Sequence, residues 1–116
     1  MLVQVRTDNH VENSESLADR VRTEVEGAVE RRFTDQLRRV EVYVQDVNSH
    51  KTGSTDKRCT VEAHLAGLQP IAVHNYADTV DEAISGAVDK MVRALEHTVD
   101  RLGDRGGRVP MSGDVS

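Results

Sequence analysis

A chain of 116 residues with 37% hydrophobic residues holds enough apolar material for one core and not for two, so a single domain is expected. Its formal charge is -5, with acidic and basic residues interleaved rather than in blocks, which excludes attraction to nucleic acid through bulk charge. Cys59 is the single cysteine, so neither an intrachain disulfide nor a thiolate metal cage can form.

A reducing cytoplasm fits that cysteine usage. The N-terminus turns polar within a few residues, without the apolar run of a signal peptide. No segment approaches the ~18 apolar residues of a membrane span. With Phe33, Tyr43 and Tyr76 as the only aromatics, the core must be aliphatic.

Leu2, Gln4 and Arg6 alternate with Val3 and Val5, which predicts a short strand ended by TDNHVEN. From Ser14 onward Leu17, Val21, Val25, Ala28, Val29 and Phe33 recur at helical spacing. That stripe predicts a helix from about Glu15 to Arg32 with Ser14 as its N-cap. VEVYVQDV then sets Val40, Val42 and Val44 against Glu41, Tyr43 and Gln45, the period of two of a half-buried strand. After the polar NSHKTGSTD, the alternation returns in KRCTVEAHLAG, with Cys59, Val61, Ala63 and Leu65 on one side and Arg58, Thr60, Glu62 and His64 on the other. A short connection from Gly67 to Pro70 leads into PIAVHNY, a further strand.

Thr79 and Glu82 form a capping box before Val80, Ala83, Ile84, Ala87, Val88, Met91 and Leu95, the signature of a long amphipathic helix. Gly103 is expected to end it, so that 1–102 form the domain and 103–116 a flexible C-terminal tail. The order is β-α-β-β-β-α. The first two strands should be parallel through a right-handed crossover, and the last three should form an antiparallel meander. Because each strand offers one apolar face, both helices belong on one side of a four-stranded mixed sheet, an α+β two-layer sandwich. Without its first strand this is the element order of double-stranded RNA-binding domains.

In the last helix Lys90, Arg93, His97 and Arg101 fall at spacings of three, four and four. They lie within about 80° of one another on a flank of the helix. Glu82, Asp89, Glu96 and Asp100 run beside them, so pairs such as Asp89 with Arg93, or Glu96 with Lys90 or Arg93, could make this a solvated charged face. The functional reading is a ridge whose guanidinium forks and lysine point charge contact phosphates. His64 and His74 on adjacent strands could face each other on the open side of the sheet with Glu62 nearby, but no metal-binding signature supports a site. Cys59 lies in an apolar row and reads as an inert, buried thiol. With no phosphate loop, nucleophile elbow or nucleophile beside a base, the sequence proposes no enzyme and no cofactor.

The element order, Ser14 and Leu17 opening the first helix, the strands VEVYVQ and RCTVEAHLAG, and Ala83, Ile84, Asp89, Lys90, Arg93 and Leu95 in the form AIxxxxDKxxRxL resemble the ribosome hibernation promoting factor and ribosome-associated inhibitor family. The resemblance covers about residues 1 to 102. It implies a cytoplasmic, stress-linked regulator of translation that docks on the 30S subunit and contacts 16S rRNA through basic residues of its two helices, with no small-molecule substrate. Lys90 and Arg93 match basic positions of the family's second helix, and Arg101 falls where a further basic residue is common. Where typical members have a lysine-rich end to the second helix, this chain has Glu96, His97 and Val99, of which only His97 can become cationic. On the first helix Arg20 and Arg31 keep charge at either end, whereas Glu24 and Gly27 replace frequent lysines. The resemblance therefore implies rRNA binding by Lys90, Arg93, Arg101, His97, Arg20 and Arg31, weaker than in lysine-rich members. Pairing of ribosomes through the C-terminal domain of long members is not expected. The alternative is a divergent protein-interaction module that has lost rRNA binding and uses the open sheet face, with Tyr43, His64, His74 and Tyr76.

Overall fold

The computed structural model describes residues 1–8, 11, 14–29, 32, 33, 36–47 and 56–107, and of 102–107 the backbone alone. Its elements are β1 (Leu2–Thr7), α1 (Glu15–Val29), β2 (Leu37–Asp46), β3 (Lys57–Leu65), β4 (Ile71–Ala77) and α2 (Val80–Gly107). They form one sheet in the order β1-β2-β3-β4. β1 and β2 are parallel, and the pairs β2/β3 and β3/β4 are antiparallel. The expected α+β sandwich is thus the architecture found.

Period-two alternation builds the inner face. Val3 lies opposite Val40, Val42 opposite Val61, and Val61 opposite Val73. Val40, Val42, Val44, Cys59, Val61 and Ala63 are buried almost completely. β2 begins at Leu37, three residues before the point at which regular alternation sets in. A register shift between Leu37 and Arg39 resets the phase, so Leu37 and Val40 both face inward although they are three positions apart.

Both helices cover this one face. Ser14 Oγ accepts from the Leu17 amide at 3.1 Å and caps α1, whose Val21, Val25 and Val29 point into the core. Thr79 Oγ1 accepts from the Glu82 amide at 3.1 Å and caps α2, which buries Ala83, Ile84, Ala87, Val88, Met91 and Leu95. Each large aliphatic side chain among these stabilises the fold by about 1.5–3 kcal/mol through its burial.

Two helix ends differ from expectation. α1 stops at Val29 rather than near Arg32, because the chain turns: the Arg32 amide donates to the Val29 carbonyl, and Phe33 takes the left-handed conformation at φ 63°. Phe33 accordingly packs against the core from a turn instead of closing the helical stripe. α2 continues past Gly103 to Gly107, since a glycine costs a helix only about 1 kcal/mol and, unlike proline, does not obstruct it. The rest of the expected tail, 108–116, and most of the polar β2–β3 connection lie outside the described residues.

α2 approaches β4 closely at Gly86. A Cβ at Gly86 would sit 2.6 Å from Asn75 Cγ and press on its Nδ2, while that amide reaches the Glu82 carbonyl at 3.4 Å. Gly86→Ala should therefore push the end of the Asn75 side chain aside and lose its bond to Glu82, which offsets the helix-propensity gain of about 1 kcal/mol and leaves stability nearly unchanged. In an Asn75→Ala background the same substitution should instead stabilise it by up to about 1 kcal/mol. Urea unfolding of the wild type, both single variants and the double variant reads this difference between backgrounds.

Candidate nucleic-acid interface

α1 and α2 lie side by side and run in the same direction, held along their seam by polar contacts. Arg20 Nε is 2.9 Å from Asp81 Oδ1, Ser85 Oγ donates to Glu24 at 3.4 Å, and Arg32 pairs with Glu96. The opposite flank of α2 faces the edge of β4, where Lys90 Nζ donates to the His74 carbonyl at 3.0 Å. At about 100° per residue these flanks are roughly 130° apart.

That geometry sorts the six cations expected to act together. Lys90, Arg93, His97 and Arg101 are all exposed and share the β4 flank of α2. Arg93, His97 and Arg101 make no ion pair with any described residue, so the pairings Asp89 with Arg93 and Glu96 with Lys90 or Arg93 are not formed. Glu96 instead turns to Arg32 on the other flank. Arg20 is on the seam, neutralised by Asp81, and the exposed row Glu82, Asp89 and Asp100 separates it from the stripe. Arg31 lies outside the described residues. The stripe on α2 is therefore real, but it is not continuous with α1.

Lys90 also occupies a carbonyl on the free edge of β4, the use of lysine that shields an open strand from further pairing. At an exposed site this bond is worth little, about 0–1 kcal/mol, so the ammonium can exchange it for a phosphate oxygen.

The outer face of the sheet, away from the helices, carries polar groups in rungs. Arg6 stands over the Tyr43 ring at 5.6 Å, and Arg58 over Tyr76 at 5.8 Å. His64 and His74 share this face without meeting, because His74 is opposite Thr60, four residues from His64. The groups that converge are Glu41, Glu62 and His64, with ligand atoms within 4.8 Å of one another. His64 Nε2 is 3.0 Å from Glu62 Oε1. Arg39 Nε lies 2.9 Å from Glu41 Oε2, close enough for charge attraction though not aligned as a hydrogen bond. A cation thus already serves Glu41, which stands directly opposite Glu62. The sequence points to the histidine pair and misses Glu41, which only strand register brings to Glu62.

A family model described as Sigma 54 modulation protein / S30EA ribosomal protein matches residues 3–103. Among solved structures, the N-terminal domain of Thermus thermophilus Protein Y is similar at TM-score 0.67 and 17% identity, over 84% of this chain and 99% of that one. A ribosomal subunit interface protein from Coxiella burnetii is similar at TM-score 0.69 and 16% identity, over 86% of this chain and 99% of that one. At such identities the likeness is one of fold. No curated protein matches the chain.

Cys59 stands apart from both surfaces. Burial under the helices pushes its thiol up to about 12, so the nucleophilic thiolate is scarce at any physiological pH. An aromatic disulfide reagent at pH 8 should leave the native protein unmodified over hours and titrate one thiol once urea unfolds it. Prompt reaction of the folded protein would contradict the burial.

Proposed function

The chain belongs to the Sigma 54 modulation protein / S30EA ribosomal protein family, and from that membership we propose a ribosome-associated hibernation factor that binds the small subunit and blocks translation. The contact runs through the α2 stripe to phosphates of 16S rRNA. Arg93 and Arg101 supply guanidinium forks, Lys90 a point charge, and His97 a ring that donates a hydrogen bond. The observation that carries this reading is the uneven pairing of the cations. Arg20 and Arg32 are bound to carboxylates, whereas Arg93 and Arg101 have no carboxylate partner among the described residues.

Arg20 joins the contact only by leaving Asp81, and Arg31 is included on the family resemblance alone. A short stripe makes few phosphate contacts, so binding is weaker and less salt-dependent than for a lysine-rich ridge. A partner in the cytoplasm places the protein there as well.

Co-sedimentation with 30S and 70S ribosomes across a salt series tests the proposal. Wild-type protein should pellet with ribosomes at low salt and be released as salt rises. Lys90→Glu with Arg93→Glu should lower affinity by more than about tenfold and flatten the salt slope by about 2, one for each lost phosphate contact. Glu96→Lys, which removes a carboxylate, should raise affinity. Unchanged binding of the doubly reversed variant would favour an interaction module that uses the sheet face and has lost rRNA.

A further inference from the structure

The α2 stripe does not end at the helix. Where Lys90 meets the His74 carbonyl, the cationic flank adjoins β4, whose side chains alternate inward through Ile71, Val73, Asn75 and Ala77 and outward through Ala72, His74 and Tyr76. Tyr76 is 46% exposed, and His74 meets it edge to face with ring centroids 5.7 Å apart at 88°. Arg58 lies over this ring, its guanidinium carbon 5.8 Å from the centroid, so a base would stack on the part of the exposed ring that Arg58 does not cover.

Beside this ring Arg58 is held in place by uncharged partners. Its Nε and Nη2 donate to Gln45 Oε1 at 3.0 and 2.6 Å, and its Nη1 donates to Tyr76 Oη at 3.3 Å. No carboxylate among the described residues neutralises it. The carboxylates of this face, Glu41 and Glu62, are instead engaged with Arg39 and His64 two rungs away, since Glu62 is opposite Ala72 and Arg58 opposite Tyr76. An exposed aromatic ring beside an oriented, unneutralised guanidinium, next to a cationic helix flank, fits a single strand of nucleic acid. The ring stacks an unpaired base, and the cations take the phosphates on either side.

We propose that Tyr76, flanked by His74 and oriented Arg58, is a stacking site for an unpaired base of RNA whose backbone follows the Lys90–Arg93 flank of α2. This rests on the reading of that flank as a phosphate contact and adds the class of RNA it takes: single-stranded rather than duplex. A protein partner fits less well, because the two outward rings are bordered by Arg58, Lys90 and polar side chains instead of a continuous apolar patch.

The test compares an eight-nucleotide single-stranded RNA of mixed sequence with an abasic oligonucleotide of equal length and charge, by anisotropy with the full chain. Wild-type protein should bind the RNA about tenfold more tightly than the abasic strand, and should bind an RNA duplex of that length no better than the abasic strand. Tyr76→Ala should abolish the preference, Tyr76→Phe should retain it, and Lys90→Glu with Arg93→Glu should weaken both strands alike. Circular dichroism of each variant establishes that the fold is kept. Equal binding of the two strands by wild-type protein would overturn the stacking site, as would a preference that survives Tyr76→Ala in a folded variant. Ribosome co-sedimentation that depends on Lys90 and Arg93, with no base preference, would remove this site and leave the ribosomal reading standing. Base preference without ribosome binding would do the reverse. Capture of a protein that depends on Tyr76 but resists ribonuclease, again without base preference, would also overturn it.

Discussion

Val40, Val42 and Val44 on β2, with Cys59, Val61 and Ala63 on β3, form an aliphatic layer from which water is excluded and on which both helices rest. These strands bury one face only, because Glu41, Tyr43, Thr60 and Glu62 occupy the intervening positions. With two helices and one apolar face, the helices must lie together. That leaves the other face of the sheet open to solvent. The molecule therefore presents two surfaces of different chemistry, a helical layer and a polar sheet, joined along the edge of β4.

Charge follows the same division. Along the helix seam the carboxylates Asp81 and Glu96 are spent on Arg20 and Arg32, which fixes one helix against the other across exposed ion pairs worth about 0–1 kcal/mol each. Their structural effect is selective rather than strong. By drawing Glu96 toward α1, the seam removes a carboxylate that helical spacing would have allowed beside Arg93. On the sheet Arg39 and His64 engage Glu41 and Glu62, while Arg58 is tied to an amide and a phenol. Of the cations left without carboxylates among the described residues, Arg58 stands on one side of β4 and Lys90, Arg93, His97 and Arg101 on the other.

What could be read from the sequence, and what could not, divides at the range of the interaction. Alternation in VEVYVQ and RCTVEAHL, the caps Ser14 and Thr79, and the 3.6-residue stripe of α2 are local signals, and they lead to the observed fold. The start of β2 was hidden because Leu37 to Val40 breaks the period of two, and only the bulge opposite β3 restores it. The left-handed turn at Phe33 was hidden for a related reason: a position that favours glycine holds an aromatic residue that also fits a helical stripe. At the candidate interface the stripe itself was legible, since Lys90, Arg93, His97 and Arg101 share one helix. Its partners were not. The choice of Arg32 over Arg93 by Glu96, and the separation of His64 from His74, depend on register and helix packing between residues far apart in the chain.

The proposal that an acidic chain binds a polyanion is contradictory only when its charge is treated as a single number. At physiological salt fields decay over about 8 Å, so a phosphate beside Arg93 senses its neighbours on the same flank and little of the acid on α1. The net charge of -5 then acts mainly as a penalty on approach, slowing encounter and opposing contacts made off the stripe. Such a surface binds when a ligand can be oriented along the narrow unneutralised strip, and it rejects one that spreads charge across the helical layer. A flexible single strand can follow that strip around the edge of β4. A rigid duplex, about as wide as the domain, would bring its phosphates against Glu82, Asp89 and Asp100 as well. Under the proposed function, acidity beside the stripe would therefore favour a flexible strand over a duplex.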